Sequence, residues 1–297
     1  MFSKKLVACV IAGFWLVAVA TGPARAQDAA QTAALNQFQA GLAGLSAADV
    51  STAAANFVAA NPDLAANIAT IAIAAAPGSE ADIAGAMAQR APAVAGDIAS
   101  AVVTAVPGAT LAVTTSVLTA APLQAGDVTE SIVCANTAAS GASTADIATA
   151  ATRASPGAAA SIAVGAATAA PGDAAAITTA VVTLQPTQAA AVAVSVVTVV
   201  PANQAAAVAG AAAGASQGQA VDVAVAVAAI VPAEANNVSN AVSIAVPAQA
   251  TIVQQTVAAV TIIPAAGDVT VVQAINVVTQ PTITLTTENP SQVSPTQ

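Results

Sequence analysis

Apolar residues recur along the chain in a fixed relation to proline. Pro62, Pro77, Pro92, Pro107 and Pro122 are 15 residues apart, as are Pro156, Pro171, Pro186 and Pro201, and again Pro232 and Pro247. Pro264 and Pro281 follow at spacings of 17. Gly141 and Gln217 stand where a proline is missing, judged by the Asp146-Ile147 and Asp222-Val223 pairs downstream. Ala47 opens a degenerate first unit. About fifteen units therefore lie between residues 47 and 281, and self-similarity at a fixed short period is the mark of a repeat architecture.

Counted from the proline, position +6 holds Ile68, Ile83, Ile98, Val113, Val128, Ile162 and Ile177. Position +10 holds Val102, Val117, Ile132, Val181 and Val196, and position +3 is mostly alanine. With +7 and +14 these offsets fall on one helical arc of roughly 100°, the width of a core-facing stripe. Position +9 is small (Ala86, Ser116, Ser131, Gly165, Ser195) and predicts a second line of close helix contact. Proline suits the first helical turn, where its missing N–H is no loss. The residue at +2 (Ser79, Gln124, Asp173, Gln188, Asn203, Glu234, Gln249) is expected to accept bonds from free N–H groups at the helix start.

Each unit thus reads as one helix of about 11–12 residues and a tight turn, too short to be stable alone. The predicted fold class is all-α: an α-solenoid of about fifteen short Pro-punctuated helical repeats, period 15–17 residues, with each unit touching only its neighbours. A β-solenoid is the alternative, since Val196–Val200 and Val269–Val272 look strand-like.

The ends differ. Lys4 and Lys5, the apolar run Leu6–Ala20 and Ala24-Arg25-Ala26 make residues 1–26 a secretory signal peptide. The rivals are an uncleaved anchor, short at 15 apolar residues against the ~20 that a bilayer needs, and a lipoprotein at Cys9, whose apolar region lies on the wrong side of the cysteine. Residues 27–46, with Leu35, Phe38, Leu42 and Leu45 at helical spacing, read as an N-terminal helical cap. Residues 47–281 are the repeat solenoid, and 282–297 a flexible Thr/Ser/Pro tail. The expected compartment is outside the cytoplasm: periplasmic or extracellular.

Composition narrows the function. The chain is 57% hydrophobic and 6% charged, with net charge −9. After cleavage at Ala26 two arginines face fourteen acids, a net charge of −12. So acidic a surface excludes nucleic acid. Bilayer-length apolar runs are absent from the mature chain, so no membrane span is expected. Without histidine there is no Ser-His-Asp or Cys-His arrangement and no imidazole ligand. No enzyme, no cofactor and no metal site are expected.

Three features remain as candidate chemistry. Asp82, Asp97, Asp127, Asp146 and Asp222 share position +5 and point away from the apolar stripe. They could form an acidic row for Ca²⁺ or a basic partner, or simply a solvated face. Thr104, Thr119, Thr168, Thr183 and Thr198 share position +12. They could meet a regular surface such as ice or a glycan, or bond backbone carbonyls near the helix end. Cys134 falls in the same column and could form an intermolecular disulfide or fill a small buried site. The function expected is an exported structural or protein-interaction repeat protein, open to self-association. The alternative is a binding module for a surface, glycan, ice or calcium, built on the Asp and Thr columns.

Overall fold

A computed structural model describes residues 23–139 and 141–262. Residues 1–22 of the expected signal peptide, the repeat units expected after residue 262 and the expected tail lie outside the described residues. Among those described, fifteen α-helices follow one another, and no strand occurs. The chain is an all-α solenoid.

Most units share one design. In the unit of Pro92 a three-residue 3-10 turn, Pro92–Val94, leads into α5 (Ala95–Ala105). The residue before the proline is a one-residue hinge. Ala91 gives its N–H to Met87 O of the preceding helix, and its own carbonyl accepts from Val94 N. Such hinges share φ between −126° and −137° and ψ between 62° and 77°. Ser216, which precedes Gln217 rather than proline, has φ −137° and ψ 76°. Proline therefore reinforces a turn that helix closure and packing already specify; it does not create it.

The helix starts correct one expectation. α3 (Ala65–Ala75), α5, α6 (Thr110–Ala120) and the helices from α9 (Ala159–Ala169) to α14 (Ala235–Ala245) carry no side-chain cap. The N–H at +2 is already satisfied by the hinge carbonyl through the 3-10 bond. Side-chain caps occur at two starts where that turn is missing: Ser46 accepts from Asp49 N before α2 (Ala47–Ala60), and Ser143 from Asp146 N before α8 (Thr144–Ala154), whereas Ser79 before α4 (Glu80–Arg90) makes no cap bond.

From α2 to α14 each helix packs more extensively on a helix two units away than on its immediate neighbours, and α15 (Ala250–Ile262) meets α13 and α14 about equally. The helices form two stacks, one even-numbered and one odd-numbered. Contacts join like positions within a stack: a Cβ on Gly214 of α12 (Ala205–Ala215) would meet Ala245 of α14 at 3.8 Å. Helices within a stack are therefore parallel. Successive turns lie at opposite edges, so successive helices are antiparallel. The true spatial repeat is two units. Contact only between successive units does not hold, because the apolar face is wide enough to meet two layers.

That face is broader than expected. Positions +3, +6, +7 and +10 are buried, and +11 joins them through Val103, Leu118, Val133, Ala167, Val182 and Val197. Together they span an arc of about 140°. Position +14 is the hinge and lies outside the helix. Ile68, Ile83, Ile98, Ile132, Ile147, Ile162 and Ile177 are fully buried, each worth about 1.5–3 kcal/mol. Thr114, Thr129 and Thr178 stand at +7, where most other units place alanine, and give their hydroxyl protons to the carbonyl four residues back, at 2.6–2.7 Å. No buried side-chain polar atom lacks a partner among the described residues. At the N-terminus α1 (Pro23–Gly41) caps the stack, with the Phe38 and Phe57 rings stacked at 4.7 Å.

Candidate functional site

The two-stack topology decides where the sequence columns go. Position +5 sits in the first turn of each helix, so it alternates between edges. Asp82 (α4, Glu80–Arg90) and Asp146 (α8) lie on the edge where even-numbered helices start. Asp97 (α5), Asp127 (α7, Ala125–Ala139) and Asp222 (α13, Ala220–Ile230) lie on the opposite edge. All five are exposed, but they do not form one row. Asp146 is occupied locally: Ser143 Oγ donates to its carboxylate at 2.6 Å and accepts its N–H at 3.1 Å.

The threonine column divides in the same way. Thr104 (α5), Thr168 (α9) and Thr198 after α11 (Ala189–Val197) fall on one edge. Thr119 (α6) and Thr183 (α10, Ala174–Leu184) fall on the other. Thr104 donates to Ser100 O at 2.8 Å, Thr119 to Thr115 O at 2.7 Å, Thr183 to Thr179 O at 2.7 Å and Thr198 to Ser195 O at 2.6 Å. These hydroxyl protons are spent on the helix, as threonine near a helix end allows. Cys134 is half-buried on α7.

The polar groups with longer reach hold turn to turn, a role different from the helix-start acceptor expected of the +2 column. On the edge where odd-numbered helices start, Gln219 Nε2 donates to Thr187 O at 3.0 Å and Gln249 Nε2 to Gln217 O at 3.0 Å. Gln188 Nε2 reaches Pro156 O at 3.5 Å, the limit of a weak bond. Ser216 Oγ donates to Pro186 O at 2.9 Å. These residues stitch each turn to the one two units earlier. Recurrence of glutamine at +2, every second unit, was the available signal. On the other edge Thr144 Oγ1 donates to Asp173 Oδ2 at 2.8 Å.

Charge is uneven between the edges. From α2 onward the even-start edge carries Asp49, Glu80, Asp82, Asp146, Asp173 and Glu234 and no base. Arg90 and Arg153 both end even-numbered helices on the opposite edge, where a cation complements the negative helix terminus.

One groove of about 280 Å³ opens where α7, α9 and α11 lie side by side, lined by Asp127, Glu130, Ser161, Val164 and Ser195 over a floor of Gly126 and Gly165. The floor exists because α7 and α9 approach closely: a Cβ on Gly165 would overlap the Gly126 carbonyl oxygen. Among the described residues no three histidine, cysteine or carboxylate groups converge as a metal site. None of the described helices is long and apolar enough to cross a membrane.

The chain matches no family model. Neither curated proteins nor solved structures offer a match either.

Proposed function

We propose that the chain is an exported, non-enzymatic repeat protein that works by presenting a long, regular surface to a protein partner or to further copies of itself. The observation that carries this reading is the use made of polar side chains. Glutamine, serine and threonine groups along both edges are committed to holding turns and helix ends. What faces outward is a repeating alanine, serine and threonine surface with one edge whose charged residues, from α2 onward, are all acidic. Such a surface suits extended contact more than convergent chemistry.

Light scattering coupled to gel filtration on residues 27–297, followed by negative-stain imaging over a concentration series, tests the self-associating form. Concentration-dependent growth is the expected result, and a monomer at every concentration rejects it. The second reading, a calcium-binding module, keeps the support of Asp127 and Glu130 at one groove. Calorimetric titration with calcium should then give heat that Asp127→Asn removes; no heat, or heat unchanged by the variant, rejects it.

A further inference from the structure

We infer that Asn136, Gly141 and Ala142, with the facing glycines Gly126 and Gly165, form a joint that couples two solenoid blocks, α1–α7 and α8–α15, into one cooperative body. The 15-residue period breaks here: Gly141 follows Pro122 by 19 residues, and α7 is longer than the standard helix by four residues. The turn before α8 lacks the 3-10 segment that opens most other units.

A side-chain carboxamide takes its place. Asn136 is buried. Its Nδ2 donates to Ala142 O at 2.6 Å, and its Oδ1 accepts from Ala142 N at 3.0 Å. One carboxamide so meets both backbone polar groups of Ala142 as a neighbouring peptide would. Thr110 gives its proton to Pro107 O at 2.7 Å, with its hydroxyl 3.4 Å from Asn136 Oδ1. A Cβ on Gly141 would stand 2.7 Å from Asn136 Oδ1 and 2.8 Å from Pro107 O, so only glycine lets the strap close against the turn before α6. Across the joint Ser155 Oγ donates to Leu118 O at 3.1 Å, and α7 meets α9 glycine to glycine.

In a solenoid, cooperativity is carried by nearest-layer interfaces, and one weakened interface divides the array. The contacts at this phase slip replace what the regular turn supplies elsewhere. Urea unfolding of the whole chain by far-UV circular dichroism, with hydrogen exchange read by mass spectrometry, tests the coupling. The unaltered chain should unfold in one transition. Asn136→Ala should split it into two, with exchange in one block about tenfold or more faster than in the other. Gly141→Ala, which keeps the asparagine but blocks its approach, should split it too. Asn240→Ala, on an exposed helix face, should leave one transition. A single transition in both joint variants, with exchange rising evenly along the chain, overturns the inference. So does an unaltered chain that already unfolds in two steps.

Discussion

The solenoid absorbs two irregular insertions in opposite ways. Between α7 and α8 four extra residues lengthen a helix. Between α11 and α12 a single extra residue is kept out of any helix: α11 stops at Val197, residues 198–200 turn, and Pro201 becomes an extended flank with ψ 140° instead of the first residue of the turn. The reason is helical phase. Four residues advance a helix by about 400°, leaving its apolar face within about 40° of where it was, whereas one residue rotates everything after it by about 100°. A rod whose helices bury an arc of about 140° tolerates the first inside a helix and must place the second in a turn.

The most direct way to break that comparison is to move the small insertion. One alanine inserted after Ala163, in mid-α9, swings Ala166 and Ala167 off the core face. It is expected to cost more than about 4 kcal/mol, at the severe end of point changes. The same alanine inserted between Thr198 and Val199 should cost no more than about 1 kcal/mol. Urea unfolding separates the two; equal costs would show that phase is not the controlling quantity.

A second contrast sharpens what is special at the longer insertion. Gly165→Ala places a methyl against the Gly126 carbonyl and should destabilise by about 1–3 kcal/mol. Gly210→Ala, in a regular part of the rod, meets Ala241 Cβ at 3.4 Å. It should lie within about 1 kcal/mol of neutral, since helix propensity favours alanine. Thermal unfolding of both variants gives the comparison.

These contrasts also mark what the sequence made legible. The helices were readable because proline, the Ile/Val columns and alanine at +3 agree on one period. The pairing of alternate helices was not, because a 15-residue repeat describes the unit and is silent on which units touch. Cutting each column into two edges follows directly from that pairing, and so does the fate of the Asp and Thr rows. The shift at Pro201 had a visible sign: Val208 lies seven residues after that proline, where other units place the core residue at six. Proline's prominence hid it. Asn136 carried no such sign, because a lone asparagine near a helix end reads as surface until the turn it holds is seen.

The smallest expected effect concerns proline itself. Gln217 opens a turn whose hinge matches the proline-bearing ones, so Gln217→Pro should fit without strain. A gain of about 0.4–1 kcal/mol is expected, from restriction of the unfolded chain. A clear loss in chemical denaturation would mean that this turn differs from its neighbours.

The central claim is that each helix lies in register against the helix two units on. Cysteines at Gly214 and Ala245 test it most directly, because a Cβ on Gly214 would stand 3.8 Å from Ala245, within the range a disulfide spans. Oxidation of the Gly214→Cys/Ala245→Cys chain should give an intramolecular bond between those positions, mapped by mass spectrometry. Gly214→Cys/Ala229→Cys, which pairs successive helices at opposite edges about 15 Å apart, should give none. Closure of the second pair in place of the first would contradict the account.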